Sequence, residues 1–456
     1  MTAGKNSKRG QSIAFHVQLN REICSVNVND GVHAVIALLD MVQAKHNKMN
    51  LVNLSTALHR LARVAMEDER LPSFLADKRM VLLHARVKQE IDASHCAGNL
   101  KDARTNARCL STIAWACGRL QVNDEEMMNT IGDLAKGTLS FFKEFELSNL
   151  LWGFAKMQVA HSALFEAASH HVFEHMQEFT PANLSMVAWA FATAKFRPCR
   201  RLLFALAGSF AEAMATPEGI RQNASPVVLE NMIWALATTG VRCKPETLEV
   251  IGNACTSMLE NFKAHELAIT LWAFARLDTW HEQLYLAATV LLCQNAALRA
   301  DLHTQAVTNI LWAYAKQCPH PTGEWQQLLG ALLTQLLPVV QTRLVQMKPM
   351  EVNATLGSVL TLSQALGAEN QTFGLGLAPG LKAPSHRPER VAAYQSEFNF
   401  QPCYVGHTGK TGKAPSSPSS STRASDEEED GESSAACSLT SLRGLHRLSD
   451  GCTLYV

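Results

Sequence analysis

Six of the eight tryptophans lie in one short motif, W-[AG]-x-[AG], and the even spacing of this motif is the strongest constraint on the fold. The copies begin at Trp115, Trp152, Trp189, Trp234, Trp272 and Trp312, which are 37, 37, 45, 38 and 40 residues apart. A rare residue that recurs at such a period indicates a tandem repeat, in which each unit buries its apolar surface against its neighbours. The chain is therefore expected to form one array rather than several globular domains.

Each copy begins with a leucine-rich stretch without proline, followed by a turn and a second stretch with apolar residues at helical spacing. Proline marks several of the turns, and no alternating strand pattern competes. The predicted fold is all-α, an α-solenoid of tandem helical hairpins with repeats of about 37–40 residues. Degenerate copies extend it at both ends, where an alignment of Asn53 and Asn353 with Asn149 places Thr56 and Leu356 at the tryptophan position.

The array is predicted to span residues 21–366, with a degenerate first repeat near 51–99, tryptophan-centred repeats over 100–340 and a degenerate last repeat over 341–366. The spacings predict an insertion around 71–99 and a smaller one at 215–226. Residues 1–20 are interpreted as a basic N-terminal extension with weak resemblance to an organellar presequence. Residues 367–456 are rich in Gly, Pro, Ser and acidic residues, which is typical of a disordered tail.

The chain carries 41 basic and 41 acidic residues, so attraction to polyanions through bulk charge is excluded, although a local basic surface is not. No uninterrupted apolar run reaches the roughly 18 residues of a membrane span. These features predict a soluble protein without membrane insertion, located in an organelle (a mitochondrion rather than a plastid), or in the cytoplasm if the N-terminus is not a presequence.

Numbered from each tryptophan (W), positions W−5, W−2, W−1, W+2 and W+3 are apolar and predict the buried side of the first helix. Positions W−3 and W+4 lie about 20° apart on the helical wheel and escape that side. Their polar residues are the predicted binding residues: Asn53, Arg60, Thr112, Arg119, Asn149, Lys156, Thr193, Asn231, Thr238, Arg276, Asn309 and Lys316. Met186 and Ile269 interrupt the W−3 series.

Stacked repeats would turn these positions into a ladder of amides and cations. An Asn side chain can both donate to and accept from a base edge, while Lys and Arg neutralise phosphate, and helical repeats recognise single-stranded RNA in this way. The same residues also fit a merely solvated helix face, or the peptide-binding surface of an armadillo- or HEAT-like protein scaffold. The residue pattern alone leaves these alternatives open.

The frame resembles the octotricopeptide repeat family and its relatives, the heptatricopeptide and FAST-kinase-like leucine-rich repeats. The resemblance is carried by Leu147-Ser-Asn-Leu-Leu-Trp-Gly-Phe-Ala-Lys156, by the corresponding segments at 229–238 and 307–316, and by Pro319-His-Pro-Thr-Gly-Glu-Trp325, which is similar to the family's PPPEW element. It implies an α-solenoid that binds organellar mRNA or rRNA and acts in RNA processing, stability, editing, rRNA maturation or translation. Other RNA-processing or ribosomal proteins are the further partners it implies.

No phosphate-binding, hydrolase or kinase motif occurs in the sequence, so we expect no enzymatic activity and no cofactor. His171 and His175 are spaced to share a metal ion on a helix, but no third ligand follows in sequence, and they are interpreted as surface or interhelical histidines. The sequence therefore predicts neither a catalytic nor a metal site.

Overall fold

The computed structural model describes residues 2–64, 74–97, 103–196, 199–318 and 321–367, with side chains described from residue 13 onward except at 96 and 97. Every described element is helical, and none of these residues lies in a strand. The predicted all-α solenoid is confirmed. The predicted tail at 367–456 lies outside the described residues apart from Gly367.

Nineteen α-helices follow one another along the described residues. They are α1 (Thr2–Ser25), α2 (Val32–Lys45), α3 (Leu51–Val64), α4 (Lys78–Ala97), α5 (Ala103–Leu120), α6 (Glu125–Lys136), α7 (Glu144–Lys156), α8 (Ser162–Glu174), α9 (Pro181–Thr193), α10 (Arg200–Ala213), α11 (Pro217–Asn223), α12 (Pro226–Thr239), α13 (Pro245–Ser257), α14 (Ala264–Arg276), α15 (Glu282–Gln294), α16 (Ala296–Ala300), α17 (Thr304–Gln317), α18 (Glu324–Arg343) and α19 (Pro349–Ala365).

Two rows of helices are built from this series. The tryptophan-bearing helices and their end copies pack side by side in one row, here called the A helices: α1, α3, α5, α7, α9, α12, α14, α17 and α19. The second helices of the hairpins form the other row, the B helices: α2, α4, α6, α8, α10, α13, α15 and α18. Within each row, every helix packs on the next helix of that row, as expected for a solenoid.

A recurring turn starts most A helices. A 3-10 turn is followed by a buried apolar residue, such as Phe142 or Phe262, and then by the N-cap residue. The N-cap of α9 is Thr180, whose hydroxyl accepts the Asn183 N–H at 3.3 Å. In α7 the glutamate three residues after the cap, Glu146, instead accepts the backbone N–H of Lys143 at 2.9 Å. These contacts satisfy N–H groups that the first helical turn leaves unpaired.

Five A helices, α5, α7, α9, α12 and α14, end at W+4 or W+5. At W+6 of these helices the backbone has a positive φ, with 57° at Gln158, 54° at Lys195 and 56° at Asp278. The next residue donates its N–H back to the carbonyl of W+2, for example from Val159 to Phe154 at 3.0 Å. This left-handed cap turns the chain into the B helix.

Small residues allow the A helices to approach one another closely. A Cβ added to Gly153 would overlap the backbone carbonyl of Ala114 in the preceding A helix. A Cβ on Gly118 would lie 3.0 Å from the Trp152 ring. The residue at W+2 points the other way, because the rings of Phe154 and Phe191 pack on His161 and Phe165 next to and within α8. The hydrophobic core therefore lies between the two rows.

Helices occupy three places where the sequence predicted an insertion or a domain boundary. The insertion expected at 215–226 is the short helix α11, so this prediction is confirmed. In the region of the other expected insertion, 71–99, the structure places α4, which is the B helix paired with α3. Helix α1 crosses the expected boundary at residue 20, and its Leu19 and Ile23 are buried.

One helix of the described residues, Glu324–Gln346, is long and apolar enough to cross a membrane by length and composition. Its apolar side is occupied by the solenoid, since Leu329, Leu332 and Leu336 are almost fully buried and α18 packs on α15, α17 and α19. A single helix of this kind is weak evidence for a membrane span, and we assign it to the core of the last repeats.

Candidate nucleic-acid interface

The N-caps define which residue occupies the tryptophan position in each A helix. The cap residues Lys143, Thr180, Ser225, Lys263 and His303 each precede their tryptophan by nine residues. In α3 the side chain of Asn50 accepts the backbone N–H of Asn53 at 3.0 Å and takes the cap role. Nine residues later stands His59, whose ring centroid lies 5.1 Å from that of Trp115.

The expected register of the two end repeats was therefore wrong. His59 replaces Thr56 at the tryptophan position, and by the same count from Lys348, Gly357 replaces Leu356. As a result, Asn53 and Arg60 do not belong to the W−3 and W+4 series. Asn53 is 1% exposed and donates to the His16 carbonyl at 3.0 Å, while Arg60 donates to the Val26 carbonyl. Thr56 and Arg63 take their places.

The tryptophans of α7, α9 and α12 contact one another in series. The ring centroids of Trp152 and Trp189 are 6.3 Å apart, and those of Trp189 and Trp234 are 6.1 Å apart. Five of the six rings are at most 9% exposed, and Trp272 is half-buried. These side chains pack the repeats together, with only their edges near solvent.

Position W−3 is more buried than expected. Thr112 and Asn149 are half-buried, whereas Asn231 is 3% and Asn309 is 8% exposed, and Met186 and Ile269 are buried apolar residues. The helical wheel treats each helix as if it had one covered side, but an A helix is flanked by two A helices and backed by the B row. Only a narrow strip of its surface remains open, and the expected exposure of Asn231 and Asn309 was wrong.

Position W+4 does reach solvent throughout the row. Arg119, Lys156, Thr193, Arg276 and Lys316 are half-buried, and Thr238 is exposed. Lys316 pairs with Asp278 at 2.7 Å and lies 5.3 Å from the centre of the Trp312 ring. The side chain of Asp278 is 70% exposed, so this ion pair is accessible to water.

Positions W−7, W−3, W and W+4 share one side of the A helix, within about 60° of its circumference. Because W+2 faces the B helices, this side is the one turned away from them. We call these four positions of α3, α5, α7, α9, α12, α14, α17 and α19 the tryptophan face. None of its residues is acidic, and it carries six cations: Arg63, Arg108, Arg119, Lys156, Arg276 and Lys316.

The N-terminal end of the tryptophan face is strongly positive. Burial, together with the charges of Arg63, Arg60 and Arg108, lowers the pKa of His59 to about 4. The imidazole is therefore neutral at physiological pH, and the three arginines provide the positive charge there.

Two groups of side chains contain histidine next to other metal-ligating atoms. His171 and His175 stack with their ring centroids 4.4 Å apart beside a cavity of about 310 Å³, and His175 Nδ1 lies 3.0 Å from the His171 carbonyl. In the part of the chain that the structure describes, one group brings three ligand atoms within 4.8 Å of one another, formed by Glu230, His265 and Glu266. Nothing in the sequence pattern had singled out this group.

The fold and this face together define the class of protein, an α-solenoid repeat protein whose tryptophan face carries cations and no acidic residue. In comparisons with known proteins, the sequence matches no protein-family model and no curated protein.

Proposed function

We propose that the protein binds single-stranded organellar RNA, either mRNA or rRNA, along the tryptophan face. The observation that carries this proposal is the charge distribution on that face. Six cations and no acidic residue lie there, although the whole chain has 41 of each sign. These cations form two groups, on α3 to α7 and on α14 to α17, and each group offers contacts for a phosphate backbone on a protein without net charge.

The half-exposed residues of the tryptophan face would bind different parts of the RNA. Arg119, Lys156 and Arg276 neutralise phosphates, while Thr112 and Asn149 are the W−3 residues that remain accessible for hydrogen bonds to bases. Phe145, at W−7 and 48% exposed, offers a ring on which a base can stack. Sequence selectivity would then be concentrated near α5 and α7, because Asn231 and Asn309 are buried.

The protein would act by occupancy, without catalysis of its own. Bound along a transcript, it would shield the strand, remodel it, or present it to RNA-processing or ribosomal proteins. The organellar location rests on the octotricopeptide-like frame and on the basic N-terminal residues. The expected roles in processing, stability, editing, rRNA maturation and translation remain part of this proposal.

A second candidate is a protein-binding scaffold of armadillo or HEAT type. It is favoured by Phe141 and Phe145, which are 42% and 48% exposed at the start of α7. Exposed aromatic side chains of this kind anchor peptides as well as bases.

Salt dependence of RNA binding tests the first proposal. Fluorescence anisotropy with a labelled 20-nucleotide single strand should give a log–log slope of roughly −0.7 per phosphate neutralised. The triple variant Arg119→Gln, Lys156→Gln and Arg276→Gln should reduce the magnitude of the slope by about 2 units. The matched control removes three cations outside the face, with Lys136→Gln, Arg200→Gln and Arg221→Gln, and should leave the slope unchanged.

Equal losses in the two triple variants would show that general charge, and not the tryptophan face, carries binding. No binding to RNA at low salt would overturn the proposal. If Phe145→Ala then abolished capture of a peptide ligand while RNA still failed to bind, the scaffold function would take its place.

A further inference from the structure

Position W−4 of α5 and of α17 contacts the next A helix. Ser111 Oγ donates to the Glu146 carbonyl at 2.6 Å, and Thr308 Oγ1 lies 2.7 Å from Thr355 Oγ1. In the four repeats from α3 to α9 this position is serine. A small hydroxyl there links one repeat to the next without introducing charge.

Helix α12 departs from this rule with Glu230 at W−4. Its carboxylate lies within 4.8 Å of that of Glu266, the capping-box glutamate in the first turn of α14. Glu230 is 1% exposed, and its Oε1 atom has no hydrogen-bond partner. Glu266 is 3% exposed and accepts the backbone N–H of Lys263 through Oε2 at 2.8 Å. Two buried carboxyl groups thus meet between consecutive repeats.

The charge of this pair is not balanced as it is elsewhere in the row. Buried Glu146 pairs with Arg104 at 3.0 Å, whereas no ion pair with Lys or Arg is found for Glu230 or Glu266 among the described residues. The pair needs either a bound proton or a cation, because two uncompensated carboxylates are costly at this depth.

The third member of the group favours a metal cation over a proton. His265 precedes Glu266 on α14, is half-buried, and contributes a ring nitrogen within 4.8 Å of both carboxylate oxygens. We propose that Glu230, His265 and Glu266 bind a zinc ion between α12 and α14. One imidazole and two carboxylates suit zinc, which accepts mixed nitrogen and oxygen ligands in a four-coordinate site. Magnesium needs near-octahedral oxygen coordination, so it fits this set poorly.

The geometry also determines what the zinc ion would do. With three protein ligands and one water, it would balance the paired carboxylates and tie two consecutive A helices together. The half-buried imidazole lies at the edge of the site and gives the ion a way in from solvent. The site is structural, and of its three ligands only His265, at W−7 of α14, belongs to the tryptophan face.

The test uses the full-length chain stripped with EDTA and then titrated with Zn²⁺ or Mg²⁺. Calorimetry and elemental analysis should give one tightly bound zinc per chain, a rise in Tm with Zn²⁺, and no comparable rise with Mg²⁺. Glu230→Gln should weaken zinc affinity by more than about tenfold, since even indirect partners of a metal ligand have effects of that size. Glu146→Gln removes a buried carboxylate from an equivalent turn and is the matched control.

Cobalt substitution distinguishes this site from adventitious binding at the surface. Co²⁺ in a four-coordinate site should give intense visible absorption that is lost in Glu230→Gln and in His265→Gln, without the near-ultraviolet band of thiolate ligands. If Glu230→Gln fails to fold, Glu230→Ser restores the residue of the other repeats and serves the same purpose. The proposal is overturned if the EDTA-stripped protein binds no zinc, or if both Glu230 variants retain it.

Discussion

The A helices and the B helices form two rows of one array, yet they pack by different rules. Along the A row, a backbone carbonyl of α5 lies against Gly153 of α7, and the tilted rings of Trp152, Trp189 and Trp234 contact one another in series. The B row is joined through side chains, such as His281 against Gly252, and leaves Phe173 and Phe204 more than 40% exposed. Close packing fixes residue size in the A row, whereas the B row tolerates variation.

This difference explains why the repeat is visible in the sequence at all. The A helices need small residues at W+1 and W+3 and a large ring at W, so the motif recurs. The B helices only need an apolar stripe, which many sequences provide. Substitutions that add one methyl group to each row test the comparison directly.

The largest effect is expected for Gly153→Ala in the A row. The added Cβ would overlap the Ala114 carbonyl oxygen and lie 2.6 Å from its carbon, so two helix backbones must separate. We expect a loss of about 3 kcal/mol in the free energy of unfolding, measured by urea denaturation. Gly208→Ala in α10 is the control, because no atom lies within 4 Å of the methyl group that it adds and alanine favours a helix. A loss at Gly153 no greater than at Gly208 would refute close packing of α5 and α7.

A smaller effect, which a second substitution should partly restore, is expected for Gly252→Ala in the B row. Here the added Cβ meets a side chain, with His281 Nε2 at 2.6 Å, and the expected loss is about 2 kcal/mol. His281 Nδ1 also accepts the Leu284 N–H at 3.2 Å, a role that serine can fill. Adding His281→Ser should recover more than half of the loss. Additive effects in this double-mutant cycle would show that the two residues do not restrict each other.

The smallest effect concerns His59, which stands at a tryptophan position of the A row. Folding lowers the pKa of His59 from 6.5 to about 4. Between these pH values the unfolded chain therefore carries a proton at this residue that the folded protein lacks. The free energy of unfolding should therefore decrease as the pH falls from about 6.5 to about 4. Below about pH 4, His59 should cause no further decrease. Between pH 7 and pH 5 this residue should lower the free energy of unfolding by about 1–2 kcal/mol. His59→Phe should flatten the pH dependence of the urea midpoint by that amount, and an unchanged profile would contradict it.

The sequence predicted the A helices, their spacing and the α11 insertion because each depends on local pattern. It misplaced Asn53 and Arg60 because the end repeats lack tryptophan, and the N-cap Asn50 is the signal that would have given the register. It overestimated the exposure of Asn231 and Asn309 because a helical wheel contains no neighbouring helices. Glu230, which lies between Leu229 and Asn231 in the repeat motif, was not predicted as a site residue. The signal that identifies it is its position, because W−4 is usually serine in the other repeats.

The order of contacts along the rows has a consequence for how the protein responds to damage. Each helix packs mainly on the next helix of its row, and among the described residues the extensive helix contacts lie within one repeat or between adjacent repeats. Stability is then a sum of repeat energies and nearest-neighbour interfaces, as in a one-dimensional chain of coupled units. A defect at one junction would divide the array into two shorter cooperative segments, each of which unfolds on its own, so the junctions set the size of the cooperative unit.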